Sequence, residues 1–311
     1  MQAVADTRAH AAAPAPLAPA NTVADGAAAG KVLLGLIGSG IQQSLTPTMQ
    51  EEEARAQGLR LHYQLIDLDA TSSGVDQLPT LLSAARIMGF RGLNITFPCK
   101  QAVIPLLDAL SDEARAMGAV NTVVIEGKRL VGHNTDGSGW AWGFRRALPD
   151  ADLSCVTLLG AGGAGSAIAH AILRLGAHTL RIVDSDGARA RALAASLNAL
   201  YGPRAESGTD IADALQGASG LIHATPTGMA KLPGLPLPAH LLRPALWVSE
   251  IVYFPLETAL LAAARERGCP VVDGGTMAVG QAVGAFEHFT GRQADPARME
   301  SHFRRLVAQR A

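Results

Sequence analysis

From Lys31 onward, short apolar runs alternate with amphipathic stretches along the chain. KVLLGLIG is apolar throughout, the pattern of a strand buried on both faces. TPTMQEEEARAQG then reads as a helix, with Thr46 as N-cap, Pro47 at the first helical position and Gly58 as the stop. LHYQLIDL is a second strand, VDQLPTLLSAARIMG a second helix, and FRGLNITFP a third strand ended by Pro98. Strand, helix, strand, helix, strand predicts a parallel sheet. Helices over KQAVIPLLDAL and SDEARAMG, then a hairpin from AVNTVVIEG to RLVGHN, complete a first unit of about one hundred residues.

The alternation restarts at SCVTLLGAGGAGSAIAHAILRLGAHTLRIVDSD: a strand, a glycine loop, a helix and a strand. Strands follow in GLIHATPTGM, LWVSEIVYFP and CPVVDGG, each ending at a loop rich in glycine, proline or threonine. Gly160, Gly162 and Gly165 satisfy GxGxxG, directly after an apolar strand and opening an alanine-rich helix. Gly160 would allow the tight turn, Gly162 the approach of a pyrophosphate, and Gly165 close packing of helix on strand, with helix N–H groups left for the anion. Asp184 ends the next strand, about twenty residues on, where an acid can bond the adenosine ribose. A carboxylate there repels a 2′-phosphate, so NAD is favoured over NADP. Arg189 and Arg191 are the counter-signal, since a cation near Asp184 would offset that repulsion.

The fold class expected is therefore α/β, with two α/β domains and a ligand cleft between them. Residues 31–136 plus 276–311 form a substrate-binding domain with a mainly parallel sheet, and 137–275 a Rossmann-type domain. Residues 1–30, rich in alanine and proline and poor in bulky apolar groups, read as a disordered extension rather than a secretory signal.

Composition narrows the partners. With 26 basic against 27 acidic residues there is no global field for nucleic acid or an anionic membrane, and no apolar run reaches the roughly 20 residues of a spanning helix. Cys99, Cys155 and Cys269 have no CxxC spacing and the histidines no HxxxH spacing, so neither a disulfide framework nor a metal is expected. A reducing cytoplasm fits best.

Three polar strings stand at element ends of the first unit: QQSLTPT, GLNITFPCK and GAVNTV. Taken singly, Ser44 and Thr46 could cap a helix, Asn121 could stabilise a turn, and Lys100 could be one exposed lysine among several. Together with GHNTDGSG they form a series. In order and spacing the strings resemble the shikimate dehydrogenase family: a serine-rich loop, NxTxPxK, GAxNT, GxNTD, GAGGxG, TPxG, VYxP and a closing MxxxQA, over residues 31 to about 305. SLTP in place of SxSP, and DSD in place of the asparagine-arginine-threonine of NADP-using members, resemble the NAD-dependent quinate/shikimate dehydrogenase branch.

The resemblance implies Lys100 and Asp136 as a catalytic pair. It implies Ser44, Thr46, Thr96, Asn121, Gln281 and Tyr253 around a polyol carboxylate, quinate or shikimate, and a monomer or homodimer. On the cofactor side it implies Gly160, Ala161, Gly162, Gly163, Ala164 and Gly165, with Asp184 and Arg189. Thr225, Pro226, Thr227, Gly228, Ile251 and Gly274 complete that set. The chain departs from the family at Thr276, where many members carry glycine beside the nicotinamide.

Oxidising a secondary ring alcohol sends a hydride to nicotinamide while the hydroxyl proton leaves, so a base is needed. Burial favours the neutral amine of Lys100 and a neighbouring carboxylate its ammonium, so titration belongs to the pair. His133, three residues before Asp136, is a competing acid–base candidate. Cys99 reads as a buried thiol, and Gly137 and Gly139 as a hinged crossover between domains. An NADP-dependent biosynthetic shikimate dehydrogenase is the nearest alternative. A non-catalytic quinate- or shikimate-binding regulator would have lost Lys100 or Asp136, or gained a DNA-binding module, and neither is seen in the sequence.

Overall fold

Apolar runs such as Lys31–Gly38 supply most strands of two six-stranded sheets in the computed structural model, which describes residues 31–72 and 74–310. The extension expected over 1–30 lies outside the described residues. The first sheet holds β1 (Lys31–Gly38), β2 (Arg60–Asp67), β3 (Gly92–Ile95), β4 (Ala109–Leu110), β5 (Thr122–Glu126) and β6 (Arg129–His133), in the order β2-β1-β3-β5-β6-β4. Helices α1 (Thr46–Ala56) and α2 (Leu78–Ile87) make the crossovers that let β1 pair in parallel with both β2 and β3. The hairpin β5–β6 joins β3 antiparallel, and β4 closes the edge parallel to β6.

Three local readings are corrected. KQAVIPLLDAL is not one helix: it divides into α3 (Cys99–Ala102), a 3₁₀ turn at Ile104–Leu106 and β4, because Pro105 removes an amide donor and Ala109–Leu110 pairs with β6. Thr46 is not an N-cap; Leu45 is, and Thr46 is the first helical residue, its amide 3.3 Å from Ser44 Oγ. Cys99 is buried as expected, but in α3 after the cis Phe97–Pro98 bond rather than on a continuing strand. The helix expected over SDEARAMG is α4 (Asp112–Met117), capped by the Ser111 side chain and ended by Gly118 at φ +61°.

The second sheet is parallel throughout, in the order β12-β11-β10-β7-β8-β9. After α5 (Asp136–Ala147) come β7 (Cys155–Leu159), α6 (Gly163–Arg174), β8 (Thr179–Val183), α7 (Gly187–Tyr201), β9 (Ala205–Gly208), α8 (Ile211–Leu215) and β10 (Gly220–His223). β11 (Trp247–Glu250), α9 (Ala259–Glu266) and β12 (Val271–Val272) complete it, and α10 (Gly274–Thr290) and α11 (Pro296–Ala308) follow. Strand order reverses between β7 and β10, so the glycine loop after β7 opens at the switch point where α/β sheets hold ligands.

The glycines read as a hinge are helical instead. Gly137 and Gly139 lie buried in α5, which packs between α6 and α10. A Cβ on Gly139 would stand 2.3 Å from Gln281 N, and one on Gly137 2.8 Å from Ala167 O. Both serve close helix approach, not bending. Trp140 and Phe144 of α5 stack at 4.8 Å over the second sheet, with Trp140 Nε1 donating to Ser249 Oγ at 3.0 Å. α11 returns to α1, where Arg298 forks onto buried Glu53 with two bonds of 2.7 Å.

Candidate active site

Asn121 precedes β5, and Asp136 opens α5 just after β6, so the hairpin register brings the two together. Asn121 Nδ2 donates to Asp136 Oδ1 at 2.9 Å, and Thr135 N donates to Asn121 Oδ1 at 2.8 Å. The first turn of α5 favours the carboxylate through the helix dipole. Its other oxygen, Oδ2, accepts from Lys100 Nζ at 2.6 Å, with the two side chains 21% and 7% exposed. Lys100 arrives by the cis-proline turn after β3. A charge-assisted bond this short and this shielded fixes both groups.

Behind the pair lies a buried chain of hydrogen bonds absent from the sequence reading. Thr122 Oγ1 donates to Asn121 Oδ1 at 2.9 Å, Asn94 Nδ2 donates to Thr122 Oγ1 at 3.1 Å, and Tyr63 OH donates to Asn94 Oδ1 at 2.7 Å. Asn134 accepts from Asp136 N at 3.0 Å and donates to Ala119 O at 2.9 Å. The available signal was Asn94 on GLNI and Thr122 on TVVIE, polar residues on otherwise mostly apolar short strands.

The other first-domain candidates border this cluster unevenly. Ser44 and Thr46 meet at the start of α1, and the preceding loop is held by Asp67, which accepts from Gly40 N, Ile41 N and Gln42 Nε2. Burial alone would raise the Asp67 carboxyl, but these donors hold it below its ordinary value. Thr96 is half-buried at the end of β3, its methyl in the space a side chain on Gly38 would need. Tyr253 is 38% exposed as a residue, and burial raises its hydroxyl pKa; Arg310 opposes this and the charge of Asp136 adds to it. Gln281 turns its amide onto Ala278 O at 3.0 Å, and its own carbonyl accepts from Thr135 Oγ1 at 3.0 Å. His133 stacks on His288 at 4.2 Å; burial and that neighbour lower its pKa to about 4, so it is neutral near pH 7.

On the second sheet, Gly160 takes φ +105°, and a Cβ on Gly165 would fall 2.0 Å from Gly160 O. Only glycine permits this turn. α6 begins with Gly162 as an N-cap that supplies no side-chain bond, and a Cβ there would meet nothing within 4 Å. The first-turn amides of Gly163, Ala164 and Gly165 have no intrahelical acceptor, the arrangement that suits a pyrophosphate. Asp184, its side chain 6% exposed, accepts from Ala161 N at 2.7 Å and Asp186 N at 2.8 Å. Arg189 lies 3.6 Å from Asp184 and 3.5 Å from Asp186.

Thr225 packs its methyl toward Gly160, and Gly228 turns at φ +97°. Ile251 N donates to Glu250 Oε1 at 2.8 Å. Gly274 is buried where a Cβ would strike Val252 O at 2.4 Å, so close backbone packing demands glycine there. Thr276 turns its Cβ toward Gly143 of α5 and donates to Asp273 O at 3.0 Å. The two halves meet at Lys100, whose Cδ stands 3.9 Å from where a Cβ on Gly163 would lie. Among the described residues no cluster of His, Cys, Asp and Glu could hold a metal ion, and no helix is long and apolar enough to cross a membrane.

Comparison with known proteins agrees with this arrangement. The family described as shikimate dehydrogenase substrate binding domain matches residues 36–123. The chain is 55% identical over 282 residues to the shikimate dehydrogenase (NADP(+)) of Streptomyces avermitilis, covering 90% of this chain and 97% of that protein. It is 48% identical over 277 residues to the quinate/shikimate dehydrogenase (NAD(+)) of Corynebacterium glutamicum strain R, covering 88% and 98%. The solved quinate dehydrogenase from Corynebacterium glutamicum in complex with NAD matches with a TM-score of 0.83 and 45% identity, over 88% of this chain and 99% of that chain.

Proposed function

Because the chain belongs to the shikimate dehydrogenase family, oxidoreductases that act on an alcohol with a nicotinamide dinucleotide, we propose that it interconverts quinate or shikimate with the 3-dehydro ketone and prefers NAD. The observation that carries this reading is the Lys100–Asp136 pair, 2.6 Å apart and set against the first turn of α6. A dinucleotide held by its pyrophosphate at that turn would supply the nicotinamide that accepts the hydride. Once the pair has shed one proton to solvent, Lys100 Nζ as the neutral amine takes the hydroxyl proton while the alcohol carbon gives up its hydride, and the ammonium so formed returns it in the reverse direction. Asp136 orients Nζ through Oδ2, and Asn121 orients Asp136 through Oδ1. Ser44, Thr46, Thr96, Tyr253 and Gln281 are proposed to hold the substrate's hydroxyls and carboxylate. Residues 31–136 plus 276–311 are proposed as the substrate domain and 137–275 as the dinucleotide domain.

Support for NAD comes from charge. Asp184 and Asp186 flank Arg189, so one guanidinium faces two carboxylates where a 2′-phosphate would have to sit. NADP is the second reading, favoured by the 55% identical relative named for NADP. Thr46 supports quinate, since in the resembled branch the methyl that it adds relative to serine accompanies quinate use, although one methyl discriminates only modestly. Steady-state kinetics with quinate and shikimate, each against NAD and NADP, test the proposal. The highest kcat/KM is expected with NAD. Higher efficiency with NADP would overturn the cofactor preference, and no turnover with either polyol would overturn the activity.

A further inference from the structure

β10 and β11 end side by side on two ionisable groups that proton and hydride transfer leave unused. In register, His223 faces Glu250, and both side chains are 0% exposed. Glu250 Oε1 accepts from His223 Nδ1 at 2.9 Å, Ile251 N at 2.8 Å and Val252 N at 3.0 Å. Oε2 accepts from Nδ1 at 3.0 Å and from Thr258 Oγ1 at 3.0 Å. The backbone N–H and hydroxyl groups here donate to a carboxylate, so Nδ1 carries its proton and Nε2 is turned to Thr225 Oγ1, 2.5 Å away. Thr225 Oγ1 also accepts from Thr227 N at 3.3 Å, and the Thr225 methyl lies 3.0 Å from where a Cβ on Gly160 would stand. One buried carboxylate thus reaches the glycine loop through His223 and Thr225, and holds the 251–252 turn directly. A buried charge lowers stability unless fully bonded, so this geometry is a costly way merely to fill a core.

We infer that His223, clamped by Glu250, is a positioning residue for the dinucleotide: it holds Thr225 and the 225–228 loop against the glycine loop in step with the 251–252 turn. The inference rests on the proposed cofactor contacts at those two segments. Pre-organising both lowers the ordering that binding must impose.

Thr225→Val and His223→Asn test it, singly and together, with NAD and NADP affinities measured by titration calorimetry alongside kcat and KM. Val keeps the shape of Thr225 without its hydroxyl, and Asn keeps a donor toward Glu250 while losing the reach to Thr225. Each single variant is expected to weaken the preferred dinucleotide about tenfold, as loss of one buried hydrogen bond predicts. For His223→Asn, kcat at saturating dinucleotide should stay within about twofold. The double variant should bind within about twofold of the weaker single, because both changes break one link. Thr225→Ser, which restores the hydroxyl, should recover affinity, and this arm decides alone if His223→Asn does not fold. Unchanged affinity in Thr225→Val, no recovery in Thr225→Ser, or a double loss equal to the product of the singles would overturn the inference. Wild-type protein that binds neither dinucleotide would instead overturn the cofactor site itself.

Discussion

Asp136 is held at both oxygens, by Lys100 on one side and Asn121 on the other, and its amide is held by Asn134. Asp136→Asn keeps the shape and removes the charge, so turnover should fall about a hundredfold or more. Dinucleotide affinity should stay within about twofold, because the cofactor side is built from other elements; collapse of that affinity in a binding titration would move Asp136 to the other side of the site. His133 makes a separate prediction. With its pKa depressed from 6.5 to about 4, the folded protein resists protonating it, so its contribution to stability is full above pH 6.5 and is lost as pH falls toward 4. His133→Gln should therefore lose less urea resistance between pH 7 and pH 5 than the wild type, with the acid limb of kcat unmoved. A shifted limb would return His133 to the chemistry. At this scale the motif residues were legible because each stands at an element end among polar neighbours. The bonds that link Tyr63, Asn94 and Thr122 behind the pair were not, because they join strands distant in sequence that lie side by side.

Among the elements, α1, α5 and α10 carry the arrangement. α1 is tied to α11 through Glu53, which accepts the Arg298 fork, Asp295 N and Gln57 Nε2. Burial by itself would raise this carboxyl, but the bonds outweigh it and hold it below 4.5. Its stabilisation is complete above 4.5 and is lost as pH falls through the lowered value. Glu53→Gln should cost about 2 kcal/mol in urea denaturation at pH 7, shrinking under acid, since the guanidinium loses a buried partner. A cost independent of pH would mean packing, not charge, ties these helices. Apolar periodicity located most helices and strands. It failed at KQAVIPLLDAL, where one proline and a two-strand pairing outweighed helical spacing.

For the whole molecule, the choice of dinucleotide is a matter of summed charge near Asp184 rather than of any single contact. Asp184→Asn keeps an acceptor for Ala161 N while removing a negative charge beside Arg189. The ratio of kcat/KM for NAD to that for NADP should fall about tenfold, roughly the value of one charge-assisted bond. An unchanged ratio would place the discrimination elsewhere. The amino-acid order alone determined the α/β class and the glycine loop, and pointed to Lys100 and Asp136 as candidates, because hydrophobic period, turn chemistry and motif spacing are local properties. Only the tertiary structure decided that Lys100 lies 2.6 Å from Asp136 and beside α6, and that His223 and Glu250 share one buried site. Those contacts join residues 36 and 27 positions apart in the chain, and distance across a fold is set by strand order and packing, which no local pattern encodes.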